Sequence, residues 1–318
     1  MTIGGRILIT GGTGSIGHAI IERAEREGWP AEFVVYSRDE VKQAAMADAH
    51  PGVRFRLGDV QDADALGRSM RGVDVVIHAA AYKRVPEAER ETMACVGANV
   101  VGSMVVLKTA LQSSSVHTVI GISTDKACSP INAYGQSKAL MERLFQSAAR
   151  GSDVRFVLTR YGNVLASRGS VIPALRAQAA AGGPITITDP AMTRFWLTLD
   201  DAVDLIVAAA HAPTGTITIP RSDAATMATV AEAVAPGVPT RVVGVRDGEK
   251  RHEELLNVHE GQYCDASGPH LRLWPMSGPP TFDMVRYRSD EAPRIPTIEF
   301  AAIVAAMDRG EPVRTLTP

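Results

Sequence analysis

The apolar triplet Ile7-Leu8-Ile9 runs directly into Thr10-Gly11-Gly12-Thr13-Gly14-Ser15-Ile16-Gly17, and then into a stretch, His18 to Glu27, whose Ile20, Ile21 and Ala24 share one helical face. The triplet reads as a buried strand, the glycines as a tight turn and the rest as a helix. Glycine at 11, 14 and 17 lets the chain turn sharply, lets backbone approach a pyrophosphate and lets the helix pack closely on its strand. The helix N-terminus then faces the negative charge. Glycines serving only as a turn are the bland alternative; the strand-loop-helix setting favours a dinucleotide held by Gly11, Thr13, Gly14, Ser15, Ile16 and Gly17.

The next strand, Phe33 to Tyr36, ends at Ser37-Arg38-Asp39, where such a fold reads the cofactor's ribose. A hydroxyl and a guanidinium there suit a 2′-phosphate, so NADP is expected, with Ser37, Arg38, Asp39 and Lys42 as contacts. In the competing reading Arg38 is a solvated surface charge and Asp39 holds an unphosphorylated ribose. Two further strands end at Gly58-Asp59-Val60 and at His78-Ala79-Ala80-Ala81, which places Asp59 and Val60 beside the adenine and Ala79 and Ala80 beside the cofactor's middle. His78 reads as a satisfied structural histidine.

The alternation continues through a helix near Asn99 to Gln112, a strand Thr118 to Ile122, a helix Tyr134 to Ala149 and a strand Arg155 to Thr159. Repeated strand-helix units give an α/β chain with a Rossmann-like, doubly wound parallel sheet covered on both faces. Residues 1–160 are expected to form the NADP-binding part. Residues 161–318 are expected to form a smaller, interleaved, mainly substrate-binding part, with some segments returning to pack on the first. Gly268 to Pro280 reads as a loop before a last helix, Ile298 to Met307.

Composition excludes several alternatives. With 318 residues, 45% hydrophobic and 21% charged, the chain can bury a proper core. A formal charge of -2 gives no general pull toward nucleic acid or an anionic membrane. Three scattered cysteines are too few for a disulfide framework or a four-ligand zinc site, so no metal and a reducing cytoplasm are expected. No charged leader precedes the first strand and no run reaches about 18 apolar residues, so neither export nor membrane spanning is expected.

The chemistry concentrates in Ser123-Thr124-Asp125-Lys126 and in Tyr134 and Lys138. Tyr134 and Lys138 lie one helical turn apart and face the same way. A phenol ionises near pH ~10, and bringing it to about 7 takes roughly 4 kcal/mol, which a nearby ammonium and a positive nicotinamide can share. Tyr134 would then take a hydroxyl proton as hydride leaves carbon, with Thr124 holding the same oxygen. Asp125 and Lys126 add a carboxylate and an amine suited to eliminating water, against the alternative of a surface ion pair.

These segments resemble an extended short-chain dehydrogenase/reductase, and more narrowly the inverting UDP-N-acetylglucosamine 4,6-dehydratases of the polysaccharide-biosynthesis branch. The likeness also runs through Tyr36 to Glu40, His78 to Pro86, Arg160 to Val171, Met192 to Trp196 and Gly248 to Glu254. It implies oxidation at C4 of a UDP-sugar, loss of water across C5 and C6, and return of hydride to C6. By that resemblance Lys126 is the base at C5 and Asp125 the acid for the C6 hydroxyl, which requires Asp125 protonated and Lys126 neutral at the start of elimination, through coupled and strongly perturbed pKa values, or else roles shared through water. Lys83, Asn163, Arg168, Arg194, Arg246 and Glu249 fall at substrate-contacting positions, and Lys83, Val164, Tyr134 and Lys138 at cofactor-contacting ones. A homo-oligomer is also expected. The chain departs from the pattern at Glu89-Arg90-Glu91-Thr92 and at Gly97-Ala98, which bears on assembly more than on chemistry. An epimerase or simple oxidoreductase using Tyr134 and Lys138 alone, and a non-catalytic NADP-binding protein, are the competing readings.

Overall fold

A computed structural model describes residues 1–165, 167, 171–277, 285–311, 313 and 316; Arg168 lies outside the described residues. Strands β1 (Gly5–Thr10), β2 (Ala31–Ser37), β3 (Arg54–Leu57), β4 (Val75–His78), β5 (Thr118–Thr124) and β6 (Arg155–Tyr161) pair in parallel in the order β3-β2-β1-β4-β5-β6. The order reverses between β1 and β4, the place where a doubly wound sheet opens a crevice for a ligand.

Alternation along each strand decides which face each side chain serves. Leu8, Val34, Val76, Val119 and Phe156 pack on one face with Phe145 and Val106, while Ile7, Ile9, Val35, Ile77, Ile120 and Val157 pack on the other with Ile20, Ile21 and Ile206. Both faces are apolar because helices cover both. The helices of this part are α1 (Ser15–Glu27), α2 (Glu40–Ala49), α3 (Ala63–Ser69), α4 (Val85–Arg90), α5 (Thr92–Val96), α6 (Gly102–Gln112) and α7 (Ala133–Ala148). Helix α1 stops at Gly28, which adopts φ 65.

The sheet does not end at β6. Ile217–Ile219 joins it in parallel, and Leu271–Leu273 and Cys264–Asp265 extend it antiparallel, making nine strands. The expected loop from Gly268 onward therefore contains a sheet strand. Its apolar signal is Leu271 and Leu273 alone, too short to stand out between glycines and prolines. Several other later segments build a separate core around Trp196, Ile172, Val230, Phe300 and Ile303, while Val203 and Ile206 pack against the main sheet.

The helix expected near Asn99 starts earlier. Helices α5 and α6 join through a π-helical turn, Gly97–Val101, into one rod, Thr92–Gln112. This rod of 21 residues is long and apolar enough to cross a membrane by length and composition, although Asn99, Ser103 and Lys108 interrupt its apolar run. More than half of its apolar window is buried, where it packs against α3 and α7 as a core helix does.

Candidate active site

Strand β5 delivers Thr124 to the crevice, and the chain turns at once into a single 3-10 turn, Asp125–Ala127. Ser129 follows at φ 46, a left-handed conformation uncommon for a residue with a Cβ. Asn132 then caps α7, accepting from the Gly135 amide at 2.7 Å and donating to the Gly248 carbonyl at 2.7 Å. A Cβ at Gly135 would fall 2.2 Å from the Lys126 carbonyl, so only glycine lets the first turn of α7 rest on the Asp125-Lys126 turn. That contact brings two distant motifs into one site.

The result is a continuous polar chain. Thr124 stands beside the Tyr134 phenol and favours its ionised form; it donates to Asp125 Oδ1 at 2.9 Å, and Lys126 Nζ donates to the same oxygen at 3.1 Å. On the far side of Lys126 stands Glu253, whose Oε1 is 3.4 Å from Nζ. Arg194 Nε lies 3.9 Å from that oxygen and Lys250 Nζ lies 3.6 Å from Glu253 Oε2. Phenol, hydroxyl, carboxylate, ammonium and a second carboxylate thus follow one another.

Asp125 is 0% exposed, and burial lifts its carboxyl above the ordinary range; Lys126 opposes this and Glu253 adds to it. Its Oδ1 accepts twice, while Oδ2 has no partner among the described residues. Oδ2 is therefore where a carboxylic proton would sit. Burial alone would discharge Lys126, but Asp125 and then Glu253 outweigh it and raise its ammonium above the ordinary lysine range. Two carboxylates flank Lys126, so it rests as an ammonium, and action as a base requires its proton to leave first. Glu253 is 2% exposed, yet Lys126, Arg194 and Lys250 overcome burial and hold it below the usual carboxylate range.

Tyr134 and Lys138 both come from the start of α7, and their side-chain ends have different neighbours. Burial pushes the Tyr134 phenol up to about 12, and the cation that opposes this is Lys126, assisted by Thr124. Lys138 is buried, and its Nζ is 2.9 Å from Met141 Sδ. Burial brings its ammonium down to about 8, with Glu142 opposing. His78 is a structural histidine, as the sequence implied. It is fully buried between Thr10 Oγ1 at 2.8 Å and Ser103 Oγ at 3.0 Å, and burial lowers it to about 3.

The glycine loop fits a dinucleotide. A Cβ at Gly17 would lie 1.9 Å from the Gly12 carbonyl, so α1 can begin this close to its loop only with glycine there. The N-cap of α1 is Gly14, which supplies no side-chain cap, and the positive end of the helix faces the glycine loop, where a pyrophosphate would lie. Thr13, Ser15 and Ile16 line the same turn, Ala79 and Ala80 follow β4 opposite it, and Val60 is buried beyond β3. At the ribose end Ser37 is buried, and Asp39 caps α2 by accepting from the Lys42 amide at 3.0 Å and also pairs with the Lys42 ammonium. Arg38 is exposed and pairs with Asp59 at 3.1 Å.

The expected substrate residues are less uniform. Arg194 is buried and reaches the Glu253 group, and Asn163 and Val164 form a short strand beside Trp196 and Leu197. Glu249 accepts from the Arg246 amide at 3.3 Å, but Arg246 itself is exposed, as is Lys83. Of the departing residues, Glu89 accepts from the Ala133 amide at 2.6 Å, at the very start of α7. It therefore touches the catalytic helix rather than only an outer face.

Glu253 is the residue that sequence reasoning missed. Its segment stood out, but nothing in Glu253-Glu254 says which carboxylate turns inward. The bridge from Thr193 to His252 and the pairing of Glu254 with Arg288 fix that choice.

A glycine-loop dinucleotide fold with a tyrosine and lysine one turn apart, beside a hydroxyl-ended strand, defines a short-chain dehydrogenase/reductase. The chain belongs to the polysaccharide biosynthesis protein family, whose model matches residues 7–272. The inverting UDP-N-acetylglucosamine 4,6-dehydratase of Campylobacter jejuni is 41% identical over 260 residues, which make up 79% of this chain and 77% of that one. The UDP-glucose 4-epimerase of Rickettsia akari is 42% identical over 285 residues, 86% of this chain and 83% of the relative. The X-ray structure of Pen from Bacillus thuringiensis matches with a TM-score of 0.88 at 29% identity, covering 96% of this chain and 98% of that one.

Proposed function

We propose that this protein is a nucleotide-sugar 4,6-dehydratase that acts on UDP-N-acetylglucosamine with NADP and inverts C5. The observation that carries the reading is the buried Asp125-Lys126 pair, continuous through Thr124 with Tyr134. Bound NADP supplies the acceptor and donor of hydride. Tyr134 takes the C4 hydroxyl proton while Thr124 holds the oxygen. A C4 ketone makes the C5 proton acidic by delocalising the carbanion, so a base of modest strength suffices. Passage of the Lys126 proton to Asp125 across their 3.1 Å contact leaves a neutral amine, which takes the C5 proton, and a carboxylic acid, which gives its own to the departing C6 hydroxyl.

Support for NADP comes from the ribose end. Arg38 and Lys42 bring two cations there, and the Asp39 carboxylate is already engaged as a helix cap. The Rickettsia relative carries an epimerase's name at similar identity. C4 epimerisation, however, gives a buried acid and amine at C5 and C6 nothing to do.

Incubation with UDP-N-acetylglucosamine in deuterated water, with NADP or NAD added, separates these readings. The expected product is a 4-keto-6-deoxy sugar with deuterium at an inverted C5, formed faster with NADP. A C4 epimer without solvent deuterium would establish the epimerase instead.

Glu253 gives a pH signature. Replacing it with glutamine removes an anion that favours the protonated forms of both Lys126 and Asp125. Base action needs Lys126 deprotonated and acid action needs Asp125 protonated. Both limbs of the kcat profile should therefore move to lower pH, by about one unit. Unmoved limbs with a uniformly lower rate would reduce Glu253 to a packing role.

A further inference from the structure

Away from the reacting residues, a second group of side chains converges between the first two helices. His18 and Glu22 are four residues apart on α1 and so lie one above the other on the same helical face. His50 is the residue that caps the end of α2. One ligating atom from each of the three lies within 4.8 Å of the other two. The two imidazole rings are 6.0 Å apart, edge-on at 61°.

His50 is the fixed member. Its side chain is 6% exposed, its amide bonds the Met46 carbonyl at 3.0 Å, and its Nδ1 lies 2.9 Å from Glu25 Oε2. A carboxylate on one ring nitrogen sets the tautomer and leaves the other nitrogen's lone pair to face a cation, the usual outer support of a metal-binding histidine. Glu22 is exposed and His18 half-buried, so these two can move. Bonds of about 2 Å in a tetrahedral shell put ligand atoms about 3.3 Å apart, and those movable side chains can supply that contraction.

We propose that His18, Glu22 and His50 bind a single divalent transition-metal ion of the zinc class, with Glu25 orienting His50. Two imidazoles and one carboxylate suit such an ion, whereas magnesium and calcium prefer all-oxygen shells. Three protein ligands leave the fourth position to water. The ion is a clamp rather than a reagent, because its ligands belong to α1 and α2 while the reacting residues belong to β5 and α7. His18 directly follows Gly17, so the clamp fastens the helix that carries the phosphate loop to the helix whose start carries the ribose-reading residues.

The test uses untagged, full-length protein stripped with a chelator, because the chain holds 8 histidines and 3 cysteines in all. Titration with cobalt(II) should saturate at one equivalent with the visible absorption of a tetrahedral site, and zinc should displace the cobalt and raise the Tm. His18→Ala and Glu22→Gln, at positions that are not buried, should each leave a folded metal-free protein and weaken binding by about tenfold or more. No stoichiometric binding at micromolar metal would overturn the proposal. So would binding, or a zinc-dependent rise in Tm, that persists when both residues are replaced together. Neither readout depends on the dehydratase reading.

Discussion

Lys126→Ala is expected to lower turnover by about a thousandfold, the scale of removing a general base, while cofactor remains bound. Alanine also strips Asp125 and Glu253 of the ammonium between them, so a fall in activity alone could reflect a disturbed site. Lys126→Arg separates the two effects. Arginine keeps the positive charge between both carboxylates but does not give up its proton at working pH. It should preserve the Tm and lose turnover as fully as alanine does. Quench-flow or NMR measurement of product, with cofactor fluorescence as the binding control, reads both. Near-normal turnover in either variant would remove Lys126 from the chemistry.

The largest effect on stability is expected at Arg160, which is 1% exposed and holds two carboxylates. It reaches Glu142 through Nε at 2.9 Å and a terminal nitrogen at 2.6 Å, and Glu260 through two contacts of 2.8 Å. A third acceptor is the Leu255 carbonyl at 3.0 Å. Arg160→Ala leaves two carboxylates buried with no cation, which should cost about 3–5 kcal/mol. For a chain of this size the Tm should drop by on the order of 10 °C. The deficit should depend on pH. Burial would raise the Glu260 carboxyl, but Arg160 overrides it and holds that carboxyl below its ordinary range. The stabilisation is therefore present at neutral pH and lost as pH falls through the folded-state value. Urea denaturation should show the gap between variant and parent narrowing as pH falls toward about 4. A gap independent of pH would mean that Arg160 matters only for packing.

Much of this was legible in the chain itself. The strand, glycine loop and first helix are a local pattern, and so are the helix bearing Tyr134 and Lys138 and the strands whose apolar residues run unbroken. What was hidden depends on contacts far apart in sequence. Ile217–Ile219 and Leu271–Leu273 are too short to announce themselves, and the sheet recruits them only once β6 is in place. Glu253 lies 127 positions after Lys126, and no spacing rule links the two. The charge on Lys126 could not be read for the same reason. Sequence shows one carboxylate beside it, and the fold supplies another. Lys138 was expected to act on Tyr134 through helical spacing, but spacing does not fix where a long side chain's end comes to rest.

The Asp125-Lys126 turn is fastened to the later half of the chain at several points among the described residues. Asn132 donates to the Gly248 carbonyl at 2.7 Å, Lys250 donates to the Cys128 carbonyl at 2.6 Å, and Glu253 faces Lys126. The base thus takes its second counter-charge from a segment that β5 and α7 do not contain. Any opening that carried residues 248–253 away from the turn would also withdraw that anion and ease the lysine's proton off. Breathing of the cleft and basicity of the amine would then be a single coordinate.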